Sequence, residues 1–245
     1  SISEYDMDIP SSLTAEEILI RSGNIGSIKI AQKVGLENFK DFLENLDLLN
    51  KIQFDIEEVG NPIPFKWGKC KLATSAYGHG ITTTPLQLAK AYAIIANGGY
   101  KIKPTLIKKE KNLKRGEQII TKENSNKINE ILRKIVTSEQ GTANLANIAG
   151  YEIAGKTGTA QKSIKGKYSK KKINTFASIF PISSPKYVLI VLLDEPKLSE
   201  TYIYEYNDGK KRKIIGTPFN TAGWTSVEVA KNIIEKIGPI LAIKY

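Results

Sequence analysis

The sequence predicts an α+β fold in which an antiparallel sheet is flanked by helices. Three observations carry this. Apolar residues recur at spacings of three and four through most of the first 137 residues, the period switches to strand-like alternation after residue 150, and one further helical stretch follows the strands.

Thr14-Ala-Glu-Glu17 has the form of a capping box and opens a short helix through Ile18, Leu19 and Ile20, which stops at Ser22-Gly23-Asn24. A second helix follows from about Ile25 to Val34, closed by Gly35. Leu36, Phe39, Leu43 and Leu46, with Phe42 and Leu49, then fit one helical face. Asn61-Pro62 and Pro64 make the next stretch irregular, up to Ala73–Gly80. Thr84 can cap a helix whose first position suits Pro85; Leu86, Ala89, Tyr92, Ala93 and Ala96 share its face, and Gly98-Gly99 ends it. Ile128, Ile131, Leu132, Ile135 and Val136 mark another helix from about Lys122 to Thr137.

Strands are expected at about Glu152–Gln161, Thr175–Phe180 and Tyr187–Asp194. A lysine-rich turn at 162–172 and a second turn at 181–186 would join them as a meander. A last helix, about Ser226–Ile237, would return to cover the sheet. The sequence shows no internal repeat, linker or domain boundary.

At 245 residues and 41% hydrophobic content the chain can bury a substantial core. No apolar run approaches the roughly 20 residues that span a bilayer, and the N-terminus is polar, so any export or anchoring signal is expected outside these residues. The net charge of +11 gathers at Lys108–Arg115, Lys162–Lys172 and Lys210–Lys213. Lysine outnumbers arginine and no zinc-ligand spacing accompanies it, so solvated loops, rather than a nucleic-acid partner, are the expectation. Cys70 is the only cysteine, which excludes an internal disulfide, and is expected as a small core residue.

Two short motifs carry chemistry. Lys156-Thr157-Gly158-Thr159 lies on a predicted strand after the small residues Ala154 and Gly155. A lysine and hydroxyls on a strand beside a cleft can hold a carboxylate, Gly158 lets a ligand backbone approach, and the Thr159 N–H can face a developing oxyanion. The same residues also suit an edge strand guarded by a lysine. Ser22-Gly23-Asn24, in a break between helices, also suits a C-cap followed by an N-cap. Taken in this order they match two of three elements of the serine enzymes that recognise penicillin: Ser-x-x-Lys, Ser-x-Asn and Lys-Thr-Gly.

With "RSGNIGSIKIAQKVG" at 21–35, "AYGHGITTTPLQLAKAYAIIANGG" at 76–99 and "GYEIAGKTGTAQK" at 150–162, the chain resembles the C-terminal part of the transpeptidase domain of class B penicillin-binding proteins. "YVLIVLLDEPK" and "TAGWTSVEVAKNIIEKIGPIL" are most similar to the septal, cell-division branch. The resemblance implies the penicillin-binding-protein/β-lactamase-like fold over residues 1–245, incomplete on its N-terminal side. It implies a peptidoglycan D,D-transpeptidase acting through a serine acyl-enzyme, with stem peptides ending in D-Ala-D-Ala as substrate, β-lactams as acylating ligands, and no metal or cofactor. In that scheme Ser22 relays the proton to the leaving amine and Asn24 holds the substrate amide. Lys156 supplies positive charge, Thr157 and Thr159 fix the terminal carboxylate beside Gly158, and the Thr159 N–H forms half the oxyanion hole.

The nucleophile of the resemblance is not matched. The literal Ser-x-x-Lys, Ser169–Lys172, follows the third motif in a predicted charged turn and is rejected. The chain is therefore expected to lack the nucleophile helix and to be inactive alone. The full protein is expected at the periplasmic face of the inner membrane, anchored and joined to division-complex membrane proteins through N-terminal regions outside this chain. His79, between two glycines, is expected as a loop residue rather than a base. An elongation-type transpeptidase, a D,D-carboxypeptidase or β-lactamase, a non-catalytic domain that binds β-lactam or peptidoglycan, and a basic nucleic-acid binder are the alternatives.

Overall fold

A computed structural model describes residues 2–57, 60–108, 115–164, 167–207 and 211–244. Contacts gather into two compact units, 1–129 and 130–245. The division falls inside a continuous helix, so no linker composition marks it in the sequence.

The first unit holds α1 (Ala15–Arg21), α2 (Asn24–Val34), α3 (Leu36–Asn45), α4 (Lys69–Ala76), α5 (Pro85–Ala96) and the start of α6 (Lys122–Thr137). The expected capping boxes are both formed. Thr14 Oγ1 accepts from the Glu17 N–H while Glu17 caps the Thr14 N–H, and Thr84 and Gln87 repeat the exchange. Gln87 is fully buried, and its Nε2 also donates to Asp47 O at 3.1 Å and Asn50 O at 2.7 Å. One side chain thus starts α5 and pins the loop after α3. Leu46, Ala91, Ile94 and Ile120 form a core cluster, with Leu48, Ile95, Ile102 and Ile119 against it. Gly99 permits that closure, because a Cβ there would lie 1.9 Å from Ile120 O at a φ of +90°.

Helix α4 was not expected. Its N-cap is Gly68 with no side-chain cap, and its Thr and Ser residues resemble loop composition. Leu72 and Ser75 face inward, whereas Cys70 is exposed, which corrects its expected place in a core. His79 lies in a loop between Gly78 and Gly80, both at positive φ, with its ring 4.8 Å from Tyr77.

The second unit contains the rest of α6, a 3-10 turn at Asn144–Ala146, and a three-stranded antiparallel sheet in the order β1-β2-β3. Strand β1 (Ala154–Ile164) begins later than the expected Glu152 and runs past Gln161, β2 (Lys167–Phe180) begins well before the expected Thr175, and β3 (Tyr187–Asp194) matches its expected limits. The lysine-rich segment expected as a turn is therefore strand wherever it is described. Ser169 lies within β2. Pairing explains the difference: Lys162 Nζ reaches Asp194 Oδ1 and Glu195 Oε1, each at 2.9 Å, and Lys171 Nζ meets Glu195 Oε2 at 2.9 Å. These lysines clamp the sheet end instead of lying on free loops.

A hairpin of β4 (Ile203–Asn207) and β5 (Lys211–Ile215) follows, then a 3-10 turn at Ala222–Trp224 and α7 (Ser226–Lys244). The helix runs past the expected end at Ile237 and carries Pro239 inside it. Val227, Ala230 and Ile234 of α7 are fully buried, as are Ile153, Phe176 and Ile179 from the sheet and its approach. Buried Asn174 of β2 donates to Asn220 Oδ1 at 2.9 Å and Thr225 Oγ1 at 2.8 Å, tying the sheet to the start of α7. No helix among the described residues is long and apolar enough to cross a membrane.

Candidate active site

Ser22 and Asn24 belong to the first unit, and Lys156 to Thr159 to the second; each group is built up in its own frame.

In the first unit, Ser22 ends α1 in the left-handed region at φ 60° and ψ 41°, and Gly23 N donates to Ile18 O at 2.9 Å. Gly23 is buried and is the N-cap of α2, with no side chain to satisfy the first N–H groups. Glu4 does so instead, accepting from Asn24 N at 2.6 Å and Ile25 N at 2.9 Å, a carboxylate on the positive end of a helix. Gly26 brings α1 and α2 together, since a Cβ there would lie 2.6 Å from Ile18 Cγ1. The break between the helices is thus both caps at once, and it leaves Ser22 on the surface. The Asn24 side-chain amide donates to Ser3 O at 2.9 Å.

In the second unit, all four residues of the Lys-Thr-Gly-Thr motif lie on β1, whose only strand partner among the described residues is β2. β1 is therefore an edge strand. Gly155 and Gly158 serve different purposes on it. A Cβ on Gly155 would lie 2.5 Å from Ala177 O and 2.7 Å from Phe176 Cζ, so packing demands glycine there. A Cβ on Gly158 would meet only Thr175 O at 4.0 Å. Folding does not need Gly158 to be bare, and the space beside it is open to a ligand.

The hydroxyls lie on the other face of β1 from the one a Gly158 side chain would take. Thr157 and Thr159, two apart on a strand, share a face. Thr157 Oγ1 lies 2.6 Å from Thr142 Oγ1, and Thr159 Oγ1 accepts from Ala222 N at 2.9 Å. Lys156 is half-buried, donating from Nζ to Thr157 O at 3.1 Å, and desolvation pushes its pKa down to about 8. It therefore remains mostly cationic at neutral pH while losing its proton more readily than an ordinary lysine. Arg133 fixes the approach to the strand by donating to Ile153 O at 2.6 Å and Asn147 Oδ1 at 3.3 Å.

Thr142, Ala222 and Arg133 were not picked out from sequence. Each acts through a hydrogen bond from a distant segment, and no spacing rule announces it. A cavity of about 480 Å³ is lined by Lys66, Gly68, Lys69, Cys70, Lys71 and Thr74, and another of about 430 Å³ lies against Trp224 and Glu228. Neither is lined by a motif residue, so the candidate site rests on the geometry of β1 and of the Ser22 turn. No group of three or more metal-ligating side chains occurs among the described residues.

Comparison with known proteins bears on the same residues. The family model described as the penicillin binding protein transpeptidase domain matches residues 1–220. A probable peptidoglycan D,D-transpeptidase FtsI from Caulobacter vibrioides is 30% identical over 243 residues, covering 95% of this chain and 39% of that protein. The chain thus spans well under half the length of that relative. In structure, the chain resembles the apo transpeptidase domain of penicillin-binding protein 3 from Burkholderia pseudomallei, with 24% identity, a TM-score of 0.75, and coverage of 92% of this chain and 65% of that one. It also resembles penicillin-binding protein 3 from Mycobacterium tuberculosis complexed with aztreonam, with 25% identity, a TM-score of 0.73, and coverage of 92% and 52%. The α+β transpeptidase fold expected from the sequence is the fold observed, and the chain belongs to the penicillin-binding protein transpeptidase domain family.

Proposed function

We propose that the chain is the substrate-gripping C-terminal portion of a septal peptidoglycan D,D-transpeptidase. The observation that carries this is β1: an edge strand that sets the Thr157 and Thr159 hydroxyls together on one face and leaves open space at Gly158 on the other. A peptide ending in D-Ala-D-Ala would lie along that edge with its carboxylate against the two hydroxyls and the positive charge of Lys156. In the complete enzyme a serine outside these residues attacks the penultimate D-Ala carbonyl and the terminal D-Ala leaves. An amine of a second stem then resolves the acyl-enzyme. Ser22 passes the proton to the leaving amine, Asn24 holds the substrate amide, and the Thr159 N–H stabilises the oxyanion.

Relatives named FtsI favour the septal role and action outside the cytoplasm, and solved neighbours complexed with aztreonam and ampicillin favour β-lactams as ligands; division-complex contacts and a membrane anchor supplied by other segments complete the proposal. The isolated chain is proposed to form no covalent penicillin adduct.

The test is an amide-resolved NMR titration of the chain with N-acetyl-D-Ala-D-Ala and its L,L isomer. Shifts at Thr157, Gly158 and Thr159 with the D,D peptide alone are expected. Equal response to both isomers, or none on β1, would overturn the assignment. A stable fluorescent-penicillin adduct on the isolated chain would overturn its inactivity.

A further inference from the structure

The two hydroxyls of β1 are held from behind in the same way. Thr159 Oγ1 accepts from the Ala222 N–H, a group that can only donate, so the Thr159 hydrogen is directed elsewhere. Thr157 Oγ1 sits 2.6 Å from Thr142 Oγ1, and between two hydroxyls either can be the donor. The two supports belong to one packed region: Thr142 O lies 2.7 Å from where a Cβ on Gly223 would be, next to Ala222. Thr142 itself is half-buried, after the end of α6.

We infer that Thr142 is a positioning residue that donates its hydroxyl hydrogen to Thr157 and so turns the Thr157 hydrogen towards a ligand carboxylate. This rests on the proposed carboxylate grip of β1. Each threonine has one hydrogen to give. If Thr157 spent it on Thr142, only lone pairs would face the carboxylate, and two acceptors repel. With Thr142 as donor, Thr157 matches Thr159: both oxygens accept from the protein and both hydrogens are left for the ligand. Valine at 142 would keep the shape and remove the donor; serine would keep the donor.

The experiment titrates the whole chain with N-acetyl-D-Ala-D-Ala and with its C-terminal amide, read at the amides of residues 157–159. Thr142→Val is expected to weaken binding of the free carboxylate about 2- to 12-fold, the range of the one neutral hydrogen bond that orients Thr157, and to leave the C-terminal amide within about twofold. Thr142→Ser is expected to restore the wild-type preference. Equal loss for both ligands would show a packing role and overturn the inference, as would no loss for either. A wild type with no response at 157–159 overturns the carboxylate grip itself, a different failure. Should Thr142→Val not fold, the wild-type Thr157 hydroxyl proton decides. A downfield move with the carboxylate but not with the amide supports the inference, and an unmoved proton overturns it.

Discussion

Gly155 and Gly158 lie three residues apart on one strand, yet alanine at the two positions is expected to act in opposite directions. At Gly155 the added methyl would sit 2.5 Å from Ala177 O and 2.7 Å from the ring of Phe176. Phe176 is fully buried and Ala177 O belongs to the paired strand, so neither can yield without moving the sheet. Overpacking of this kind costs about 1–3 kcal/mol. At Gly158 the nearest atom would be 4.0 Å away, and φ is not in the positive range that only glycine favours. Alanine there removes freedom from the unfolded chain and is expected to stabilise by about 0.4–1 kcal/mol. The variants should therefore differ by about 1.4–4 kcal/mol, or ~0.7–2 M in urea midpoint at an m value of about 2 kcal/mol/M. The same Gly158→Ala protein is expected to weaken the proposed response of β1 to N-acetyl-D-Ala-D-Ala, because the methyl fills space that lets a ligand backbone close on the strand. Equal midpoints for the two variants, or a Gly158→Ala protein that is less stable yet binds normally, would refute the division of labour between them.

Other consequences are open to measurement. Lys156 has its pKa lowered from 10.5 to about 8 by burial, so between those values the unfolded chain holds more protons and stability rises with pH. Relative to Lys156→Met, the wild type should gain up to about 3 kcal/mol between pH 7 and 10.5 in urea unfolding, and a flat difference would exclude the shift. Gln87→Leu removes the cap on Thr84 and the bonds to Asp47 O and Asn50 O, and should lower unfolding free energy by about 2–4 kcal/mol with the secondary structure retained by circular dichroism. Ser22→Gly relieves a left-handed serine and should stabilise by ~0.5–1 kcal/mol in thermal unfolding, which would identify Ser22 as kept for something other than the fold. Lys162→Met breaks the clamp to Asp194 and Glu195, so amide exchange should quicken near residues 160–162 while 154–156 stay protected.

Helices with chemical start signals were legible in the sequence almost to the residue. Thr14 with Glu17 and Thr84-Pro85 with Gln87 declare their helices because a side chain must satisfy the first free N–H groups. Helix α4 begins on Gly68 and gives no such sign. The β4–β5 hairpin did leave one, alternating Ile203, Tyr204, Glu205 and Tyr206 before Asp208-Gly209, a strong turn signal overshadowed by the lysines around it. Charge misled again at 162–172, where lysines suggested a turn but their partners, Asp194 and Glu195, are remote in sequence. The candidate site divides likewise. Lys156, Thr157, Gly158 and Thr159 were visible as a motif, but Thr142 and the Ala222 N–H that orient them join only through the folded chain.

The bond from Ala222 to Thr159 reaches into optics. Ala222 opens a turn that ends at Trp224, whose carbonyl accepts from Tyr204 OH at 2.9 Å and whose ring stands edge-on to Tyr204 with centroids 5.3 Å apart. The chain has only one other tryptophan, Trp67, in the first unit. A Trp67→Phe protein would therefore carry a single indole two residues from the N–H that supports Thr159 of β1. Its emission is expected to report on the proposed site and to follow capture of N-acetyl-D-Ala-D-Ala in stopped flow without any attached dye.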